Sequence, residues 1–598
     1  MFHQPSAPVT DSLALSALVA TLPLLTMFVM LGVLKVKAWI SAVAALAVAL
    51  VVAVVAFGMP VDLALLSGTE GIAFGLVPIM WIVVNAIWLY QLTVITGWSE
   101  DLRRAFGLVS DDPRVQAVII AFCFGGLLEA LAGFGAPVAI TGVMLMALGF
   151  SGLRAASVVL LANTAPVAFG AIGAPILASA GATKIPFDQI AATAGRQVSV
   201  LAALVPLLLV VVVDGLRGLR QTWPVALVTG LAFAGAQFWA SNNGQGELTD
   251  VIASLAGLVA AVVFLRLWQP AGGRRAVESL RREHEAEVWE LVAAGRTSSG
   301  PGTTSPARTA SSGATATLTR TGAPVSPGAP VSPGGPGDPG ARGDRERLTA
   351  GRVAMTFAPY LVVIAVFALA KKFQPLATWL AARDRKVGWP GLDGHVLGAA
   401  GRPVGFTKYT LTWLNTPGTL LLLSGVVVLV LYRITPAEAV REYGHLLTKL
   451  RYGILTVACL LGLAYVMNIS GQTTTIGQWI AAAGSSFAFF SPVLGWIGVA
   501  VTGSDTSAAA LFGSLQQTVG RSAGIDPTLL VAANNSGGVL GKMISPQNLT
   551  IAATAVGLAG KESEIFRRVI AWSLGLLVLM CLLVGLQSTP VLSWMLPG

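Results

Sequence analysis

The sequence predicts an all-α, polytopic membrane protein with about 12–14 membrane segments. Three observations carry that expectation. Apolar runs of span length recur along most of the chain, charge is scarce, and Lys and Arg alternate between successive connections. Of 598 residues, 55% are hydrophobic and only 11% charged. A soluble domain carries about 25% charged residues, so this chain cannot clothe a soluble surface of its size.

Spans are expected at 13–34, 38–57, 72–96, 115–131 and 138–150, then at 155–180, 198–213, 223–239 and 251–265. After a polar interval come 353–370, 411–431, 452–467 and further segments ending with 569–586. Runs such as 38–57 lack any ionisable residue, and no polar face appears in them at helical spacing. The first run is of span length and no basic stretch precedes it, so a cleavable leader is not expected.

The basic residues orient the spans. Lys35 and Lys37 follow the first, whereas the 58–71 connection has Asp62 and Glu70 but no Lys or Arg. Arg103, Arg104 and Arg114 follow the third; Arg217 and Arg220 precede Trp223; the 241–250 connection has no basic residue; Arg266, Arg274 and Arg275 follow the next span. Cytoplasmic loops are enriched in Lys and Arg, so the alternation places the N-terminus outside and the 269–352 interval inside. It also accounts for the formal charge of +10 without a nucleic-acid partner. The partner this surface implies is the lipid bilayer of a cell membrane.

The expected organisation is a first transmembrane half at 1–268, a cytoplasmic linker at 269–352 and a second half at 353–598. Within the linker, 274–291 mixes Arg and Glu as a solvated helix does, and 297–343 is rich in Ser, Thr, Pro and Gly, with "APVSPG" repeated. The latter has too little apolar surface to fold. Cys123, Cys459 and Cys581 sit in apolar runs and form no disulfide framework.

The halves share a spaced pattern. "ANTAPVAFGAIGAP" ends at Pro175 and "ANNSGGVLGKMISP" at Pro546, so Asn163, Gly170 and Pro175 correspond to Asn534, Gly541 and Pro546. About thirty residues before each Asn lies a glycine break, "AGFGAP" around Gly133 and "TGSDTS" around Gly503. Transporters are often built from such repeats, with broken helices at matching places. Opened backbone at membrane depth is tolerated where it lines a cavity, and it exposes helix N-termini that favour an anion. Gly133, Gly135, Gly503, Ser504, Thr506 and Ser507 are therefore candidates for a substrate site. Asn163, Thr164, Asn534, Asn535 and Ser536 add neutral donors and acceptors for a carboxylate and a neighbouring hydroxyl. Helix packing through small residues and interhelical hydrogen bonds would use the same residue types.

Glu129, Asp505 and Lys542 are ionisable residues in apolar surroundings, which marks them for function. A buried carboxyl is penalised in its charged form and suits proton coupling. Asp505, inside a break, is the first choice and Glu129 the second. Lys542 is suited to neutralise a substrate carboxylate or to pair with Asp505. His3, His284, His395 and His445 lie in polar stretches and receive no role. No hydrolase, nucleotide-binding or metal motif appears, so neither an enzyme nor a cofactor or metal site is expected.

At these residues the chain resembles the bacterial L-lactate permease family. The matching strings are "GFGAPVAITG" (133–142), "ANTAPVAFGA" (162–171), "SPVLGWIGVAVTGSDTS" (491–507), "VAANNSGGVLGKMISPQ" (531–547) and "AVGLAGKESEIFR" (555–567). The resemblance implies proton-coupled uptake of L-lactate, with D-lactate and glycolate, across the cytoplasmic membrane. It also implies kinship with ion-coupled carboxylate transporters built from inverted repeats and re-entrant hairpins. A sodium-coupled carboxylate carrier and an anion channel are the alternative readings. The 297–343 stretch has no counterpart in the resemblance and looks like an insertion.

Overall fold

The structure, a computed structural model, describes residues 1–5, 7–34, 36–98, 101, 109–133, 135–273, 275–280, 282–283, 350–398 and 407–597. Lys35, Arg103, Arg104, Phe134, Arg274, His284 and the 297–343 stretch lie outside the described residues. The first-half helices are α1 (Leu13–Leu31), α2 (Ala38–Val55), α3 (Val61–Ile95), α4 (Pro113–Ala132), α5 (Ala136–Ala147), α6 (Gly152–Ala162), α7 (Val167–Thr183), α8 (Phe187–Asn242) and α9 (Gly246–Leu267). Then follow α10 (Ala354–Ala370), α11 (Gln374–Ala381), α12 (Pro417–Leu431), α13 (Pro436–Ser470) and α14 (Gln472–Thr502). The last are α15 (Asp505–Ala523), α16 (Pro527–Gly541), α17 (Pro546–Ala555) and α18 (Glu562–Gln587).

Among the described residues nine helices are long and apolar enough to cross a membrane, or eleven if two bent pairs each count as one span. The chain is thus a multi-pass membrane protein of the predicted all-α class. α8, counted once, supplies two crossings. It turns at Asp214 and Gly215, whose φ is 63°, and its arms lie antiparallel, with Gly230 against Ala203 and Arg196 Nε donating to Asn242 Oδ1 at 2.9 Å. Among the described residues strands are confined to short pairs: Phe2–His3 runs parallel to Val396–Leu397, and Arg385–Gly388 antiparallel to Lys408–Leu411.

The two faces are distinguishable by charge. At one, fully buried Arg114 bonds Asp112 at 2.7 Å, Asp214 at 3.1 Å, Gln221 at 2.6 Å and the Ala271 carbonyl at 2.8 Å. This network ties the start of α4 to the turn of α8 and the end of α9. Arg154, paired with Glu283, donates to the Val213 carbonyl at the same face. At the other face lie both ends of α8 and the C-terminal segment, where Arg196 Nη1 donates to the Met595 carbonyl at 2.7 Å.

The sequence halves pack into one another. α13 runs antiparallel along α3, with Gly71 on Leu461 and Gly462, Gly75 on Ala458, and Trp88 Nε1 donating to the Ala439 carbonyl at 3.1 Å. α7 lies along α15, and α8 against α16.

Two helical hairpins organise the centre. α4 and α5 turn at Gly133 (φ 36°) and Gly135 (φ 85°), conformations that only glycine adopts readily, and Gly125 faces Thr141 across them. α5 has 12 residues, about 18 Å at 1.5 Å per residue, well short of a hydrocarbon core of about 30 Å. Arg114 begins this hairpin and Arg154 follows it, so it enters from and returns to the basic face. The second hairpin is formed by Phe487–Thr502 of α14 and by α15, and turns at Gly503 (φ 76°). Gly498 faces Ala508, and Ser491 Oγ donates to Gln516 Oε1 at 2.9 Å. Its first arm leaves the opposite face, where Phe489 packs on Gly585.

The predicted 155–180 span is broken. α6 ends at Ala162, Asn163 caps it, and α7 departs at 62°. Ala171, Ile172 and Gly173 then take φ of 45°, 55° and 73°, a left-handed run that L side chains adopt only under strain. In the second half α16 continues unbroken through Asn534, and the chain turns only at Lys542–Ser545, where Ser545 caps α17.

Candidate functional site

The hairpin tips meet beside the two interrupted helices. A cavity of roughly 30 Å³ lies between them, lined by Glu129, Gly133, Val167, Gly170, Ala171, Pro175, Gly503, Ser504, Asp505, Thr506 and Lys542. That is room for at least one water molecule. Lys542 Nζ donates to Glu129 Oε1 at 2.6 Å, with both side chains buried. Asp505 is 4% exposed, and neither of its carboxyl oxygens has a hydrogen-bond partner among the described residues; the same holds for Glu129 Oε2.

Each charged side chain is placed by local chain geometry. Gly133 stops α4 one turn after Glu129, and the carboxyl turns toward Gly170, where an added Cβ would lie 2.8 Å from Oε1. Lys542 follows the last turn of α16. Its carbonyl accepts from Asn548 Nδ2 at 3.0 Å and Ser545 Oγ at 3.1 Å, so the cap of α17 holds the lysine in place. Asp505 opens α15 behind the Ser504 cap, whose Oγ accepts from the Ser507 amide at 3.3 Å. The pairing differs from the one allowed between Lys542 and Asp505. Asp505 lies directly against Gly538 of α16, while the Gly133 turn carries Glu129 to the ammonium.

The remaining predicted residues divide. Gly133, Gly503, Ser504 and Thr506 line the cavity. Asn163 borders an adjoining narrow cleft with Leu160, Lys542 and Asn548, and its Oδ1 has no partner among the described residues. Gly135 packs on Ile551 and Asn548, Thr164 Oγ1 donates to the Leu161 carbonyl at 2.7 Å, and Ser507 serves the cap. Asn534 Nδ2 donates to the Ala508 carbonyl at 3.4 Å, holding α16 to α15. Asn535 shares a hydrogen bond with Ser179 at 3.0 Å, and Ser536 Oγ donates to Gln197 Oε1 at 2.7 Å. These last two stand in interhelical contacts away from the cavity.

Sequence reasoning missed Val167 and Ala171, which reach the cavity because the backbone is distorted there; the small-residue run "AFGAIGAP" was the only signal. It also read Asp250 as part of a polar connection. The structure buries it to 1% exposure at the start of α9, within electrostatic range of Glu129 and Lys542. Among the described residues no three His, Cys, Asp or Glu side chains are grouped as a metal site.

The arrangement can hold one carboxylate. A buried ammonium, two buried carboxyls, the hydroxyls of Ser504 and Thr506 and the N-terminus of α15 converge on one small space, and charge–charge interactions among buried groups are strong. Exchanging one carboxylate partner of Lys542 for another keeps the buried charge balanced.

The L-lactate permease family model matches residues 16–295 and 337–591. The L-lactate permease of Bacillus subtilis (strain 168) is 39% identical over 99% of both chains. The glycolate permease GlcA of Escherichia coli (strain K12) is 37% identical over 94% of both. The L-lactate permease of the same strain is 36% identical over 98% of this chain and 97% of its own. On a match of this extent, this chain belongs to the L-lactate permease family.

Proposed function

We propose that the protein is a secondary active transporter that takes up L-lactate, D-lactate, glycolate and related small 2-hydroxy monocarboxylates together with protons. The observation that carries this reading is the buried Lys542–Glu129 pair between a hairpin tip and a helix break. Charge in such a place is costly unless paired. An incoming carboxylate takes over Lys542 only if Glu129 accepts a proton as it lets go. Anion and proton therefore load together, and the loaded site carries no added charge. Asp505 stays protonated beside the anion, since an ionised carboxyl there would repel it. The hydroxyls of Ser504 and Thr506, with Asn163, serve the substrate hydroxyl and carboxylate.

The Lys542–Glu129 pair bridges the tip of the first hairpin and the turn after α16, so loading opens that contact. Hairpins entering from opposite faces support alternating access, with the basic face cytoplasmic and the molecule in the bacterial cell membrane. The same opposition supports halves 1–268 and 353–598 as inverted repeats. The family match skips 296–336, which supports the Ser-, Thr-, Pro- and Gly-rich part of the 269–352 linker as lying outside the transport cycle.

Labelled lactate uptake into vesicles tests the reading. An imposed pH gradient, acid outside, should concentrate lactate with choline replacing all sodium, and glycolate should compete. Accumulation that requires sodium would favour the sodium-coupled carrier. Mere equilibration without saturation would favour a channel.

A further inference from the structure

Asp250 carries an inference beyond the binding site. Residues 243–245 join the second arm of α8 to α9 at the face opposite Arg114, and Asn243 and Gly244 are exposed there. From that face inward the acidic side chains are Glu247, Asp250 and Glu129, all buried. Two contacts set the register of α4 against α9. An added Cβ at Gly126 would lie 2.6 Å from Ser254 Oγ, and one at Gly257 3.5 Å from Cys123 Sγ. Both give the same antiparallel alignment. One turn further along each helix, Glu129 comes opposite Asp250, because residues three and four apart share a helix face.

Asp250 is held but not satisfied. Its Oδ1 accepts from Gln237 Nε2 at 3.4 Å, and that nitrogen also donates to the Ala165 carbonyl at 3.1 Å inside the α6–α7 break. Asp250 Oδ2 and Glu129 Oε2 have no partner among the described residues. Around Asp250 stand Glu129 from α4, Lys542 from the turn after α16 and Gln237 from α8, and Glu247 precedes it by three residues on α9. Three carboxyls, at Asp250, Glu129 and Asp505, share one ammonium. Two ionised carboxylates close together repel, whereas a pair sharing one proton does not.

We propose that Asp250 is the relay carboxyl that passes protons to Glu129 from the membrane face at 243–245. The step rests on Glu129 being the coupling group. The Asp250 O–H bond breaks and a Glu129 O–H bond forms, directly or through one water. Glu129 then releases Lys542 to the substrate carboxylate. Asp250, left ionised, regains a proton from water on the Glu247 side.

The test compares Asp250→Asn and Asp250→Glu in vesicles with labelled lactate. Asp250→Asn should slow uptake driven by a pH gradient at least tenfold. Lactate exchange at equal pH and membrane abundance should stay at wild-type levels. Asp250→Glu, which restores a titratable group, should recover most of the gradient-driven rate. Gradient-driven uptake at the wild-type rate in Asp250→Asn overturns the relay. So does equal slowing of both assays, which would mark Asp250 as a packing residue. The underlying reading fails separately: Glu129→Gln that still accumulates lactate removes Glu129 as coupling group, whatever Asp250 does.

Discussion

The hairpin at Gly133 and the hairpin at Gly503 share a tip geometry but differ in charge. Each ends a helix with a left-handed glycine and brings a carboxyl to the same cavity. Glu129 is paired with Lys542, while Asp505, equally buried, has no partner among the described residues. The segments after the hairpins differ too. After the first, the chain breaks at Asn163 and strains through Ala171–Gly173; after the second it stays helical through Asn534 and turns only to present Lys542. The first half thus supplies the carboxylate of the buried pair and the opened backbone, and the second supplies the cation. Matching sequence motifs do not make matching chemical roles.

The most severe test of that contrast removes the cation. Lys542→Met leaves Glu129 buried without its partner, a loss of about 3–5 kcal/mol for a broken buried pair. It should lower the melting temperature of the purified protein and abolish lactate uptake. Adding Glu129→Gln should restore stability but not uptake. A double variant that still accumulates lactate would show the pair to be structural only.

Exchanging the carboxyls for amides sharpens the comparison. Glu129→Gln should lose accumulation driven by a pH gradient yet keep lactate exchange, since a permanently neutral side chain still frees Lys542. Asp505→Asn should keep both, with at most a modest change in half-saturation, because the amide resembles the protonated carboxyl. The reverse pattern would transfer the coupling role to Asp505.

A smaller difference is expected between the two asparagines. Asn163→Ala should raise the half-saturation concentration by roughly 10–150-fold, the equivalent of a charge-assisted hydrogen bond of about 1.5–3 kcal/mol. Asn534→Ala should chiefly reduce thermal stability, by about 1 kcal/mol, since its amide joins α16 to α15. Equal effects on half-saturation would place both at the substrate.

The smallest effect is expected where the halves are joined. Replacing 297–343 by a short Gly/Ser segment should leave uptake per transporter unchanged, as a stretch of that composition contributes no packed contacts. Loss of uptake at normal membrane abundance would assign the segment a part in transport.

By itself the sequence determined the membrane class, the glycine tips, and the family through the strings at 133–142, 162–171, 491–507 and 531–547. Those features are local: hydrophobic length, left-handed glycines and unpaired charge in apolar runs can be read residue by residue. The sequence also singled out Glu129, Asp505 and Lys542, because a charge stands out in an apolar run wherever the chain takes it. Only the tertiary structure decided that Lys542 meets Glu129 across 413 residues of chain, that Asp250 belongs with them, and that Asn535 and Ser536 serve helix contacts. Pairing depends on how hairpin tips from opposite faces converge and how α4 registers on α9. Those are distances between remote segments, which no local pattern encodes.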